Sequence, residues 1–188
     1  KVKKYRISKI QANKSAVDTF GRLIVGGAIG VENNAYQRML ALIESGVDAI
    51  FVDVAHAHTK TSLDSVKKAK KRLKNIPLIV GNIATKEAAS ALIKAGVNVV
   101  KVGIGPGSIC TTRVVTGVGI PQLSTIIDVY KVASKFKIPV IADGGIKTSA
   151  DIAKAIAGGA TACMIGSLLA GTDESPGKLL KKKGSTYK

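Results

Sequence analysis

The chain has 188 residues, of which 46% are hydrophobic, so its length and composition suit one domain with a substantial apolar core. Two cysteines far apart make no disulfide framework, and no apolar run approaches the roughly 20 residues of a membrane span, so we expect a reducing, cytoplasmic location and no membrane partner. The net charge of +17 is spread over helices and both ends without interleaved aromatic residues. This pattern favours a solvated lysine-rich surface over a nucleic-acid site, and it would also attract a phosphorylated small substrate.

Six short apolar runs predict the strands of a buried parallel sheet, and helical patterns separate them. In chain order, the predicted strands are Leu23–Ala28, Ala49–Asp53, Leu78–Asn82, Val99–Gly103, Val140–Asp143 and Ala162–Gly166. The predicted helices lie near residues 35–45, 61–74, 86–95, 121–135 and 149–158, with Ser149 as the candidate N-cap of the last one. Residues 4–20 are typical of a linker, and no closing element is expected at the end of the chain.

The helix ends share one pattern, in which Gly46, Gly96 or Gly159 precedes the next strand and supplies a left-handed C-cap. Repeated βα units of this kind predict parallel strands with right-handed crossovers. The fourth and fifth strands are further apart than the others, and the surplus is a glycine-rich loop at 105–119. Active sites of α/β proteins lie at the carboxyl ends of strands, so the pattern predicts either a (β/α)₈ TIM barrel or a doubly wound sheet with its site there. Six strands do not close an eight-stranded barrel, so we expect a segment of a larger domain.

Cys110 stands in this loop, in the stretch "GIGPGSICTTR". Backbone N–H groups of a glycine-rich loop can stabilise a thiolate, which then attacks an electrophilic carbon. Thr111 and Thr112 supply hydroxyls for proton transfer. The alternative is a small packing residue, which is our interpretation of Cys163 inside the strand "ACMIG".

Two further strand ends carry candidate ligand-binding residues. Asp143 in "ADGG" suits hydrogen bonding to ribose hydroxyls, and "IGS" at 165–167 is typical of a phosphate-binding turn, although both could be tight turns only. Asp53 ends another strand and is interpreted as a hydroxyl binder. His56 and His58 could share a face, but a third metal ligand is not evident.

Three stretches carry a resemblance to a known family: "KVGIGPGSICTTRVVTGVGIPQL", "IPVIADGGIKTSADIAKAI" and "MIGSLLAGTDESPG". They closely resemble the inosine-5′-monophosphate (IMP) dehydrogenase and guanosine-5′-monophosphate (GMP) reductase family, over about residues 21–188. The resemblance implies a (β/α)₈ barrel of which residues 21–188 supply strands three to eight. It also implies that residues 1–20 are a basic linker at the end of the second barrel helix, where a pair of regulatory CBS modules is usual but absent here.

The resemblance implies a purine-oxidising enzyme of guanine nucleotide synthesis. Cys110 would attack C2 of IMP, hydride would pass to NAD⁺, and water would hydrolyse the thioimidate to XMP, with Thr112 assisting proton transfer. The remaining implied contacts are: Ser108, Asp143, Gly144, Gly145, Gly166 and Ser167 for the substrate; Asp53, Asn82, Gly103 and Gly105 for NAD; and the carbonyls of Gly105, Gly107 and Cys110 for K⁺. A homotetramer is implied, whose neighbouring subunit completes the potassium site.

The sequence departs from the family pattern at "DVAHAHT", where "DSAHGHS" is usual. Val54 lacks a hydroxyl, and Ala57 would resist a positive φ that glycine tolerates, so we expect an altered NAD pocket. The first two strands and the mobile flap that activates water are also missing, so these 188 residues are expected not to complete turnover alone.

Two alternatives to the dehydrogenase remain. GMP reductase, the NADPH-dependent conversion of GMP to IMP, shares the cysteine and the barrel, and "TGVG" at 116–119 occurs in reductases. The other alternative is a non-catalytic nucleotide- or nucleic-acid-binding module.

Overall fold

The structure is a computed structural model that describes residues 15–172, 174–178, 180–182 and 185–187. The predicted linker therefore lies largely outside the described residues. Within them, the strands are β1 Gly26–Ile29, β2 Ala49–Asp53, β3 Leu78–Ile83, β4 Val99–Val102, β5 Val140–Asp143, β6 Ala162–Met164, β7 Leu180–Lys182 and β8 Ser185–Tyr187. The α-helices are α1 Ala35–Glu44, α2 Lys60–Arg72, α3 Lys86–Lys94, α4 Thr112–Thr116, α5 Gln122–Ala133 and α6 Ser149–Ala157, and a 3₁₀ turn follows α5 at Ser134–Phe136.

The first six strands form one parallel sheet, whose spatial order follows the chain from β1 to β6. A doubly wound sheet would reverse its order part-way, whereas a barrel adds each strand beside the previous one. The sheet is a curled part of a barrel with helices outside, which confirms the (β/α)₈ prediction and decides against the doubly wound alternative.

The core lies between the sheet and the helices and is built from Val, Ile, Leu and Ala. β3 is buried almost throughout, and Val80 and Val100 are completely inaccessible on neighbouring strands. Helices cover the sheet with small or flexible side chains, such as Met39 of α1, Val66 of α2 and Ala88 of α3, each inaccessible to solvent. This packing is what the near-continuous apolar strands predicted.

Most predicted elements are observed, and the differences lie at their ends. β2 and β5 have the predicted bounds, whereas β1 begins at Gly26 rather than Leu23. Leu23 instead forms an isolated antiparallel bridge with Val17, which draws that part of the chain out of the sheet. β6 is also shorter than predicted, because its parallel pairing with β5 ends at Met164.

The helix caps follow the predicted chemistry with one correction. Gly46, Gly96 and Gly159 all have positive φ, as expected of left-handed caps. The N-cap of α6 is Thr148, not Ser149: its side chain accepts from the Asp151 amide, and Asp151 completes a capping box.

One short helix and two short strands were not predicted. The loop at 105–119, predicted to be irregular, contains the short helix α4. Near the end of the described residues, β7 and β8 pair as an antiparallel hairpin that is separate from the six-stranded sheet. Among the described residues, none of the helices is both long and apolar enough to cross a bilayer.

Candidate functional site

A cleft of about 1090 Å³ opens at the carboxyl ends of β5 and β6, beside the loop that follows β4. Its volume suits a nucleotide-sized ligand. All six residues predicted to bind substrate line it, namely Ser108, Asp143, Gly144, Gly145, Gly166 and Ser167. They come from three separate segments of the chain, so only the parallel arrangement of the strands brings them together.

Cys110 follows directly after Gly107, Ser108 and Ile109, which line the cleft, and its side chain is exposed. Its thiol donates to the Thr112 hydroxyl over 3.2 Å. Hydrogen bonding with the side chain and backbone of Thr112, together with the charge of Arg113, holds the pKa of Cys110 below that of an ordinary thiol, although partial desolvation opposes this. By contrast, burial raises the pKa of Cys163, which packs against the core as predicted. Cys110 is therefore the more reactive thiol of the two.

Arg113 organises the cysteine loop. Its guanidinium donates to the Ile120 carbonyl over 2.7 Å and closes the loop around α4. Its side chain also lies against Gly105 and Gly119, where an added Cβ would approach it to 2.5 Å in each case. The glycines of the loop thus make room for the arginine that shapes it.

At Gly144, the residue after β5, the cysteine loop lies in close contact with the backbone. It has a φ of +87°, and a Cβ there would lie 2.9 Å from the Gly107 amide nitrogen. A side chain at position 144 would push the loop away from Asp143. Gly166 is open, with nothing within 4 Å of an added Cβ, which leaves its backbone accessible to a ligand.

A buried lysine joins the polar residues at the ends of β2, β3 and β5. The Lys101 side chain is only 1% exposed, and its Nζ donates to Asp53 Oδ1 over 2.9 Å, to Asn82 Oδ1 over 2.5 Å and to Asp143 Oδ2 over 2.5 Å. Sequence reasoning missed this residue. The indication available was a charged residue in an otherwise apolar strand, "VNVVKVG", because an almost fully buried lysine requires anionic partners.

Asn82 is held by the same network. Its Nδ2 donates to the Gly103 carbonyl over 2.6 Å and to Asp143 Oδ2 over 2.9 Å, while its Oδ1 accepts from Lys101. Both amide hydrogens are therefore used inside the protein. In this arrangement Asn82 orients Asp143 and offers no free donor to a ligand.

The loop carbonyls predicted to hold K⁺ lie close together in the chain. The Gly107 carbonyl accepts from the Cys110 amide over 3.1 Å, whereas those of Gly105 and Cys110 receive no hydrogen bond from the described residues. Carbonyl oxygens with free lone pairs are suitable ligands for a hard cation, so the Gly105 and Cys110 carbonyls have the chemistry that a potassium ion requires. His56 and His58 do not form a metal site. Their ring centroids are 6.3 Å apart, and no cluster of three or more His, Cys, Asp and Glu residues that could hold a metal ion occurs among the described residues.

Ala57 does not have a positive φ. Lys137 is the only non-glycine residue of the described ranges with a positive φ. Ala57 is fully buried, and its amide donates to the Asn82 carbonyl over 2.9 Å. Val54 packs against the core. Ala57 thus takes a backbone conformation open to any residue, as expected of an alanine, and the altered NAD pocket stays a prediction.

Comparison with known proteins identifies relatives of the whole chain. The IMP dehydrogenase / GMP reductase domain matches residues 1–188. The chain is 59% identical to inosine-5′-monophosphate dehydrogenase of Methanocaldococcus jannaschii, over 93% of this chain and 35% of that protein. It is 50% identical to GMP reductase of Leishmania donovani, over 97% of this chain and 38% of that protein.

Two solved structures of a similar protein have the same fold as this chain. A cysteine-to-alanine variant of Trypanosoma brucei GMP reductase superimposes with a TM-score of 0.89 and 47% identity, over 95% of this chain and 40% of that one. The same variant in complex with guanosine 5′-monophosphate matches equally well, over 38% of its chain. The chain thus spans well under half the length of the relatives it matches.

Proposed function

Because the chain belongs to the IMP dehydrogenase / GMP reductase family, we propose that the protein containing it oxidises IMP to XMP with NAD⁺. The observation that carries the proposal is the exposed Cys110, with its lowered pKa, beside a cleft lined by the predicted nucleotide-binding residues. The dehydrogenase relatives, at up to 59% identity, support this direction of the reaction.

The covalent step uses the Cys110 thiolate as nucleophile. Its sulfur forms a bond to C2 of the purine, and the hydride on C2 then departs with its electron pair. A nicotinamide held near Asp53 would supply the acceptor for that hydride. The thioimidate on Cys110 is hydrolysed by water, which places oxygen on C2 and returns the sulfur as the leaving group. The Thr112 hydroxyl, 3.2 Å from the sulfur, stabilises the thiolate before attack and after release.

The cleft would orient the nucleotide by binding its 5′-phosphate and its ribose. Ser108, Gly166 and Ser167 would hold the 5′-phosphate with hydroxyl and backbone N–H donors, and Asp143 would accept from the ribose hydroxyls. Asp53, whose side chain is 49% exposed, would accept from a ribose of NAD⁺. The carbonyls of Gly105, Gly107 and Cys110 would hold a potassium ion, whose charge would fix the cysteine loop.

GMP reductase is the second candidate. The observation that favours it is the likeness to GMP reductases in both sequence and structure, at 50% and 47% identity. The same cysteine and cleft would serve the reverse redox direction, with ammonia released from C2 and NADPH as the hydride donor. The described residues that line the cleft do not separate the two reactions.

The test follows nicotinamide absorbance in the whole protein with two substrate pairs, IMP plus NAD⁺ and GMP plus NADPH. We expect an absorbance rise with IMP that Cys110→Ala reduces by at least about a thousandfold, because the nucleophile is lost. Cys163→Ala is the matched control and retains most of the activity, since that thiol packs against the core.

The alternatives give different results. An absorbance fall with GMP, lost in Cys110→Ala, would establish the reductase. Binding of IMP or nucleic acid without turnover in either assay would favour a non-catalytic module, and persistence of turnover in Cys110→Ala would refute the covalent mechanism.

A further inference from the structure

Lys101 occupies an unusual position for a lysine. It lies in β4 between Val100 and Val102, both inaccessible to solvent, and it is among the largest fully buried side chains of the described residues. An unpaired charge at such a position would carry a large desolvation penalty. The charge is instead met by two carboxylates and an amide oxygen, so the cation is part of a built polar cluster.

The hydrogen-bond count shows that Lys101 serves the cluster rather than a ligand. An ammonium has three hydrogens, and all three are taken by Asp53, Asn82 and Asp143. One oxygen of each carboxylate, Asp53 Oδ2 and Asp143 Oδ1, receives no hydrogen bond from the described part of the chain. The lysine therefore leaves each carboxylate one oxygen with which to accept from a ligand.

The two carboxylates face different parts of the site. Asp143 lines the cleft, with 22% of its side chain exposed. Asp53 belongs to β2, three strands away, is 49% exposed and is not among the residues that line that cleft. A single nitrogen atom, Lys101 Nζ, contacts both.

We propose that Lys101 is a positioning residue that couples the two nucleotide sites, making the affinity of Asp143 for the IMP ribose depend on the state of Asp53. This inference rests on the proposed function. Hydrogen bonds that share an atom polarise one another. When Asp53 accepts less strongly from Nζ, the ammonium acts more strongly on Asp143, which then becomes a weaker acceptor for a ribose hydroxyl.

The test is a double-mutant cycle read by direct IMP binding, measured calorimetrically in the whole protein without NAD⁺ so that no turnover occurs. Asp53→Asn is expected to weaken IMP binding by about threefold or more while Lys101 is present. In Lys101→Met the same change is expected to strengthen binding, because it then mainly removes a negative charge that repels the anionic nucleotide.

Two further variants make the cycle specific. Lys101→Arg keeps the cation, so Asp53→Asn should again weaken IMP binding in that background. Lys70→Met is the matched control: Lys70 also donates to an asparagine, Asn98 Oδ1 over 2.8 Å, but at the amino end of β4, so its removal should leave IMP affinity unchanged.

The outcomes separate the coupling from the proposed function. An unchanged IMP affinity in Asp53→Asn alone overturns the coupling, even if Lys101→Met does not fold. The same fold-change in both backgrounds also overturns it. Failure of the unsubstituted protein to bind IMP at all would instead refute the proposed function.

Discussion

At the scale of single residues, the reactivity of Cys110 depends on its immediate neighbours. The sulfur is exposed, and its hydrogen bond to Thr112 comes from a residue two positions along the chain. Arg113 adds a positive charge while it shapes the loop. A thiolate is thus favoured without burial, which keeps it accessible to a substrate.

We predict that the pH dependence of Cys110 alkylation depends on the Thr112 hydroxyl. The thiolate is the reactive form, so the rate rises as the pH passes through the pKa, and a lowered pKa moves that rise to lower pH. Thr112→Val removes the hydroxyl and should shift the midpoint upward, whereas Thr112→Ser should not. The measurement is the iodoacetamide rate against pH in a Cys163→Ala background. Identical midpoints in Thr112→Val and the unsubstituted protein would contradict the prediction.

At the scale of elements, short polar contacts fix the strand ends that carry the site. Gln122, the first residue of α5, donates from Nε2 to the Val102 carbonyl over 2.9 Å and to the Asp143 carbonyl over 3.1 Å. These contacts join the ends of β4 and β5 where the long loop leaves the sheet. The helix after the loop therefore helps to hold Asp143 in place.

The capping box of α6 gives a stability prediction. Thr148→Ala removes the hydroxyl that caps the Asp151 amide, and such losses typically cost about 1 kcal/mol of folding free energy. Chemical denaturation should show a lower midpoint with an unchanged slope. Thr61→Ala, at an exposed position in α2, is the matched control and should change stability by less than about 0.5 kcal/mol. Equal effects of the two substitutions would contradict the role of Thr148.

The Asp151 carboxylate adds a pH dependence to the same cap. Hydrogen bonds from the Lys147 amide and the Thr148 side chain and amide lower the pKa of Asp151 in the folded state. A depressed carboxyl pKa stabilises the fold above the unfolded-state value, and this contribution is lost as the pH falls through the folded value. We therefore expect the contribution of this cap to folding stability to decrease only at acid pH, as Asp151 becomes protonated.

At the scale of the whole molecule, charge and exposed apolar surface bear on substrate and assembly. The net charge of +17 on these 188 residues would favour approach of the proposed phosphorylated nucleotide from solution. Side chains of the cysteine loop are strongly exposed, including Ile109 at 96% and Val114 at 88%. They offer apolar surface that the homotetramer implied by the family resemblance would cover.

We predict that the KM for IMP rises several-fold with ionic strength while kcat changes little, because salt screens the attraction of the phosphate. The assay would add choline chloride at constant KCl, so that potassium occupancy does not vary. A KM that is independent of choline chloride would show that the overall charge does not assist substrate binding.

The sequence by itself determined the parallel βα class of the fold and singled out Cys110 as the candidate nucleophile. Apolar runs separated by helical patterns, with glycine before each strand, predict a parallel βα fold, because burial on both faces requires apolar strands. The glycine-rich loop around Cys110 was likewise visible in the order of residues, since loop length and glycine content are local properties.

Only the tertiary structure decided how the polar strand ends combine. It places Asp53, Asn82 and Asp143 around Lys101, although these residues are distant in the chain. Contacts between side chains of different strands depend on register and depth, which no local pattern encodes. The sequence also could not show which backbone conformation Ala57 takes, whereas the spacing of Thr148 and Asp151 in the capping box of α6 is a local pattern that the choice of Ser149 overlooked.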